Sequence, residues 1–378
     1  MGHNLIMAEP IVSISAEGPT LSAAVHGAKA CGLQRLMRMG LAVPPAFVIP
    51  VAIAHEVAAG GLTEELAHHT AELCDGVDDP RLAVRSGAEV SLPGAFETLL
   101  DVHPEVVAAA VLTVVSSTKS LRAMAIANTL GHDRVPSTAV IVQRQVDATA
   151  DDKSGAGAAT SHNLIGHPDG PVGSFAWQIQ GDAVMAGTAP VVSLASIGDR
   201  CPEVMSRLVR DLARIESDLG GPAEVEFAVE SGHLWYLQVR GVSSTEIVES
   251  APLPRGATVI GSGRPAAPGS GQGELAIDLD AAIEVIDSGR SVVLALQTTS
   301  PSEVAVMARS VGVFTVVGSP ECHAAVVARA VGIPAVVSVK GLQIHSDHVI
   351  IEGTRVDVGE MLWVDGTTGL IASATVTP

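Results

Sequence analysis

Residues 318–337 read GSPECHAAVVARAVGIPAVV. The run before them, VGVFTVV at 311–317, is apolar and rich in β-branched residues, the composition of a buried strand. GSPEC has turn chemistry, and HAAVVARAVG has helical character with Gly332 and Pro334 marking its end. Strand, turn and helix in that order predict His323 at a helix N-terminus. There the unpaired backbone N–H groups and the positive end of the helix dipole favour an anion and disfavour a protonated imidazole. A neutral imidazole is a nucleophile, and a phosphoryl group carried on it would meet ready donors. A histidine that only caps a helix fits the same local pattern, so the rest of the chain has to decide.

Working outward, short β-type runs (SVVLAL, VGVFTVV, IPAVVSV, MLWVDG) alternate with helical stretches beyond Gly273, which predicts a compact α/β unit. Between Gly241 and Gly273 the composition turns to Ser, Pro and Gly, the chemistry of a linker, and a domain boundary is placed there. Upstream, AEVEFAVESGHLWYLQVR is two alternating runs joined by Ser231–Gly232, a β-hairpin signal. EVMSRLVRDLARIESDLG (203–220) reads as an amphipathic helix stopped by glycines, AVIVQRQV (139–146) as a strand, and 103–130 as helix and loop. Near the start, Leu33, Leu36, Met37 and Leu41 recur at helical spacing, and Pro44–Pro45 is the predicted stop.

The chain has 378 residues, enough for two or three domains, and its apolar fraction of 47% can fill their cores. Forty-one acidic against 22 basic residues give a net charge of −19 with no basic block, which argues against nucleic acid as a partner. MGHNLIMAEPIV lacks the charged n-region and apolar stretch of a signal peptide, and VVAAAVLTVV (106–115) is too short to span a bilayer. Cys31, Cys74, Cys201 and Cys322 lie far apart, which disfavours a zinc site or disulfide framework; the expectation is a reduced, cytoplasmic protein that does not engage membranes. His68, His69, His162, His167, His345 and His348 show no ligand set. GSGRPAAPGSGQG lacks the GK[ST] ending of a phosphate loop.

The stretch LALQTTSPSEVAVMARSVGVFTVVGSPECHAAVVARAVGIPAVV, with GRPAAPGSGQGE before it and LWVDGTTGLI after it, resembles the phosphohistidine domain of the phosphoenolpyruvate-utilising enzymes, the family of pyruvate, phosphate dikinase and phosphoenolpyruvate synthase. The resemblance implies that His323 carries a phosphoryl group between two sites on a swivelling domain. The front of the chain resembles the family's ATP-grasp half. HGAKACGL matches its GxKAxxL element, making Lys29 a candidate for the nucleotide phosphates, and AVRSGAEVSLPGAFETLLDV carries Arg85 at the phosphate-contacting position. WQIQGDAVMAG places Asp182 where an acid is expected, and GPAEVEFAVESGHLWYLQVR carries over Glu224, Glu226, Gln238 and Arg240. The implied fold is α/β and α+β, multidomain: an ATP-grasp domain (1–245, two subdomains split near 80–140), a linker (246–260) and a compact swivelling β/β/α phosphohistidine domain (261–378).

The implied activity is ATP-dependent phosphotransfer through His323, assisted by Arg85 and Arg240, with ATP held by Lys29, Arg85, Glu224, Gln238 and Arg240 and Mg2+ by Glu226 and Asp182. Strand alternation gathers Glu224, Glu226, Gln238 and Arg240 on one surface, although the solvent face of a hairpin alternates in the same way. Two positions depart from the family pattern: Ser319 replaces a glycine and Glu321 a threonine. A carboxylate two residues before His323 opposes an incoming phosphate by like charge, or orients the ring by accepting its N–H. No stretch matches the family's phosphoenolpyruvate barrel, so the expected acceptor is a separate barrel protein or a small molecule, and a homodimer is possible. Two alternatives stand beside this reading: a lapsed relative acting as a nucleotide-binding or scaffold subunit, and an antibiotic or metabolite kinase like rifampin phosphotransferase, whose inserted domain has no counterpart in this sequence.

Overall fold

Period-two alternation in the first half of the chain produces antiparallel sheets. In the computed structural model, which describes residues 11–90, 92–162, 170–242, 251–298 and 303–373, β1 (Val12–Ile14), β2 (Ala46–Ile49), β3 (Leu82–Ala88), β4 (Thr98–Val102) and β5 (Thr138–Arg144) form one sheet in the order β1-β2-β5-β3-β4, antiparallel throughout. One face takes α1 (Ala23–Arg38), whose Leu33 and Leu36 bury with Val48 and Ile141. The other face takes α2 (Val51–Ala58), α3 (Thr63–Cys74) and α4 (Val107–Ser117), which bury Ile53, Leu66, Val111 and Val114 against Phe47, Val84 and Val142. α5 (Leu121–Thr129) follows, its first turn capped by the Ser120 hydroxyl.

A second antiparallel sheet runs β10-β9-β6-β7-β8, from β6 (Gly155–Thr160), β7 (Val172–Trp177), β8 (Val192–Ser193), β9 (Ala223–Glu230) and β10 (His233–Gly241). Its helices are α6 (Gly181–Ala186), α7 (Ile197–Arg200) and α8 (Pro202–Leu219). Leu208, Leu212 and Ile215 of α8 share one core with Phe227, Tyr236 and the α1 leucines, so α1 is the wedge between the two sheets. Truncating a fully buried leucine of that wedge to alanine costs roughly 2–5 kcal/mol.

The last third is built on a mixed eight-stranded sheet, β11-β21-β20-β13-β14-β15-β16-β12. Its strands are β11 (Thr258–Ser262), β12 (Arg264–Ala267), β13 (Ser270–Ala276), β14 (Val292–Leu296), β15 (Gly312–Thr315), β16 (Ala335–Val337), β20 (Met361–Asp365) and β21 (Leu370–Ser373), with β13 to β16 mutually parallel. One face is covered by α9 (Leu279–Asp287), α10 (Val304–Met307) and α11 (His323–Val331). The other is covered by a small sheet of β17 (Gln343–Ile344), β18 (His348–Ile351) and β19 (Thr354–Asp357). No single helix among the described residues is long and apolar enough to cross a membrane.

Two expectations are corrected. The Ser, Pro and Gly stretch from Gly241 to Gly273 is not all linker, because three strands of the last sheet begin at Thr258. Its glycines are there for close approach: a Cβ on Gly271 would lie 1.8 Å from the Val311 carbonyl oxygen, and one on Gly261 2.2 Å from Ile351 Cγ2. Within the expected linker, residues up to 250 lie outside the described residues. Second, α1 stops at Arg38, with Gly40 in the left-handed region closing it before Pro44, and Leu41 packs into the core from beyond the helix.

Gly27 is the constraint that places α1. It sits inside the helix at φ 79°, ψ 151°, and a Cβ there would meet the Gly87 carbonyl oxygen of β3 at 1.9 Å. Both the dihedrals and the contact exclude a side chain. Gly27→Ala is expected to destabilise the protein by at least about 2 kcal/mol, read from the midpoint of urea unfolding. An unchanged midpoint would refute this account of the kink.

Candidate active site

The hairpin β9–β10 has a buried turn of alternation on each face. Val225, Phe227 and Val229 enter the core, so Glu224 and Glu226 point the other way. Glu224 pairs in register with Arg240, and Glu226 with Gln238 across a bulge at Leu237. The four polar groups therefore share one face, as the spacing predicts. That face is not a solvent face: Glu224 is only 3% exposed, with Arg329 of α11 beside it, and Arg85 of the first sheet reaches Glu226 and Gln238.

Arg85 of β3 joins the two sheets. It is buried and donates to Glu226 Oε2 (2.7 Å), the Leu237 carbonyl (2.7 Å), Gln238 Oε1 (3.3 Å) and Gln143 Oε1 (3.3 Å). Arg240 donates through Nε and Nη2 to Glu224 Oε1 at 3.0 and 2.6 Å. Such paired burial is what makes charges tolerable away from water, since either partner alone would carry an uncompensated desolvation cost of several kcal/mol. Lys29 arrives from α1 just beyond the Gly27 kink, half-buried, and its ammonium is pushed down to about 8 by burial and then by the Arg85 charge, against the pull of Glu226.

A cleft runs along this face. At one end Lys29, Glu224, Glu226, Gln238 and Arg240 line it together with Ser86, Gly87 and the turn around Gly94. At the other end it is bounded by Val146, Gly181, Ala228, Leu237 and Met185, with Arg122, Arg144, Gln180 and Asp182 at its edges. Asp182, in the first turn of α6, thus shares the cleft with Glu226. No group of three or more His, Cys, Asp or Glu side chains able to hold a metal exists among the described residues.

His323 opens α11 by its backbone, as the strand-turn-helix pattern predicts, with Cys322 in the cap position. The position of its ring lies outside the described residues. The helix itself is at the cleft: Val326, three residues further along, lines the end that holds Lys29, Glu224 and Arg240. The loop before His323 packs on the end of α6, since a Cβ on Gly187 would touch Cys322 Cβ at 3.3 Å and Gly318 Cα at 3.4 Å. Glu321 is buried, and burial pushes its carboxyl up. Its Oε2 accepts the Ser174 hydroxyl at 2.6 Å, a third role beside the two read from the sequence. Ser319 is buried, and its hydroxyl has no hydrogen-bond partner among the described residues.

The structure brings Lys29, Arg85, Asp182, Glu224, Glu226, Gln238 and Arg240 to one cleft. Sequence reasoning missed Gln143, Ser174, Arg264 and Arg329. Gln143 had a signal, being polar inside the apolar strand AVIVQ, and Arg329 is the lone charge in its helix. Ser174 and Arg264 carried none. Of the remaining histidines, His162 lies 2.8 Å from Glu216 and His345 stacks on His348, while His167 lies outside the described residues.

Two family models match the chain: the AMP/ATP-binding domain of pyruvate phosphate dikinase over residues 51–193, and the mobile domain of the PEP-utilising enzymes over 289–369. Lys29 and the β9–β10 hairpin lie outside both spans. Similar curated proteins are pyruvate, phosphate dikinase 2 of Oryza sativa subsp. japonica (29% identical, 68% of this chain, 33% of the relative) and pyruvate, phosphate dikinase of Rhizobium meliloti (26%, 62% and 31%). The chain spans about a third of the length of the relatives it matches. A solved D-alanine–D-alanine ligase from Helicobacter pylori overlaps 59% of this chain and 55% of its own at 10% identity and a TM-score of 0.32, too low to argue from. Both domain models fall in the order the motifs require: the chain carries an AMP/ATP-binding domain like that of pyruvate phosphate dikinase, followed by a mobile domain of the PEP-utilising enzymes.

Proposed function

We propose that the chain binds ATP in the cleft between the two antiparallel sheets and transfers a phosphoryl group to His323, which then delivers it to an acceptor on a separate protein or a small molecule. The nucleotide unit is taken as residues 1–245, and the carrier unit, expected over 261–378, includes β11 from Thr258. The observation that carries this reading is that α11, opened by His323, lines the same cleft end as Lys29, Glu224 and Arg240. Val146, Leu237 and Met185 offer a base an apolar wall, and Lys29, Arg85 and Arg240 suit phosphates.

Phosphoryl transfer depends on positioning and on offsetting negative charge. In the proposed step a ring nitrogen of His323 forms the N–P bond while the P–O bond to the nucleotide breaks, and the electron pair leaves on that oxygen. Arg240 and Lys29 offset the charge that gathers there, and Arg85 orients the chain of phosphates. Mg2+ takes one or two protein carboxylates and fills its shell with water and phosphate oxygens; Glu226 and Asp182 share one end of the cleft, while Glu224 is engaged by Arg240. Glu226 and Asp182 would hold it, and when bound it neutralises phosphate charge. A second reading, a lapsed binding subunit, is favoured by the engagement of Glu321 Oε2 with the Ser174 hydroxyl.

ATP labelled separately on the β and γ phosphates decides between them. Wild-type protein is expected to gain acid-labile, base-stable label that His323→Ala lacks. ATP binding without label, with or without added phosphate, would leave only the binding role.

Lys29 supplies a pH test. Its charge is present below about 8 and is lost as pH rises through that value, while bound phosphates favour the charged form. ATP affinity is expected to fall about tenfold between pH 7 and pH 9, with proton uptake on binding in calorimetry. Lys29→Arg, charged throughout, should flatten the profile. A flat wild-type profile would remove Lys29 from the phosphate site.

A further inference from the structure

The carrier half meets the nucleotide half through a buried polar joint. Ser174 of β7, fully buried, lies between two side chains of the other half: Arg264 Nη2 donates to its Oγ at 3.0 Å, and its hydroxyl donates to Glu321 Oε2 at 2.6 Å. Arg329 of α11 donates to the carbonyls of Pro320 (2.6 Å) and Ala266 (2.7 Å), which ties the loop before His323 to its own sheet. Its Nη2 lies 3.7 Å from Glu224 Oε2, the oxygen that Arg240 leaves unbonded. Beside these contacts α5 packs Ala123 and Ile126 against Val304 and Val327 of the carrier half.

We propose that Glu321 is a positioning residue: through Ser174 and Arg264 it keys the loop that bears His323 into register with the nucleotide cleft. This deepens the proposed phosphotransfer and rests on it. The chemistry suits a joint that must open and close. Arg264, Arg329, Glu224 and Ser174 are the groups that face Glu321, and the bonds of Ser174 to Glu321 and Arg264 are the ones that cross between the halves. The small apolar contact at α5 adds area without register. One hydroxyl threaded between an acid and a guanidinium supplies the register, because a shift of 1 Å breaks both bonds. The acid stands where the chain departs from the family pattern, and its partner on β7 is what makes that departure intelligible.

The test uses the full chain. Loss of one charge-assisted hydrogen bond is worth about a tenfold effect. Glu321→Ala is expected to slow single-turnover labelling of His323 about tenfold and to speed amide exchange over residues 318–331, with the ATP dissociation constant unchanged. Glu321→Gln, which keeps an oxygen for Ser174, should recover most of the rate. Ser174→Ala acts from the opposite half and should reproduce the defect, which covers the case in which the Glu321 variant fails to fold. Labelling at the wild-type rate in both alanine variants would overturn the proposal, as would faster labelling, which would mark the bond as a brake. A loss confined to ATP affinity would also overturn it. If wild-type protein binds ATP without labelling but both variants still loosen residues 318–331, the phosphotransfer reading fails while the key stands.

Discussion

Arg85 is the constraint on which the rest of the site depends. Its guanidinium spans from the first sheet to the hairpin of the second and uses its donors on a carboxylate, a backbone carbonyl and two amide oxygens. Because β9 alternates strictly, the same register that sends Phe227 into the core sends Glu226 to Arg85. A slip of one residue would bury the acids in the core and expose the valines. Packing and charge pairing thus specify a single alignment of the two sheets, and the cleft is what that alignment leaves between them.

The electrostatics of the cleft run against those of the whole chain. A net charge of −19 repels a nucleotide at long range, so affinity for one has to come from cations gathered locally and partly screened from water. Lys29, Arg85 and Arg240 meet that need, and Glu224 and Glu226 keep the two arginines ordered when no phosphate is present. The lowered Lys29 and the raised Glu321 share one cause, burial, the first between the two antiparallel sheets and the second where the carrier half meets β7.

Local patterns carried much of this into the sequence. The Ser231–Gly232 turn, the glycine stop of α8 and the helix opened by His323 were legible because each depends on neighbours within one turn or one strand. The facing of Glu224, Glu226, Gln238 and Arg240 was legible for the same reason, but what covers that face was not. Alternation says which side a residue takes and nothing about the surface that arrives there. Ser174 is one polar residue in VGSFAW, and its bond to Glu321 spans 147 positions. The glycines between Gly261 and Gly273 misled because close strand packing and linker flexibility call for the same residue.

The central claim, that the ordered cations of this cleft are a phosphate site, is tested most directly by the ATP dissociation constant of Arg240→Met measured by calorimetry at pH 7. Arg240 faces the cleft from the hairpin edge and is also the partner of the buried Glu224, so its loss should lower the unfolding midpoint, and binding is measured well below that midpoint. The account predicts binding weakened at least about tenfold in protein that is still folded at the temperature of measurement. Wild-type affinity in that variant would contradict it.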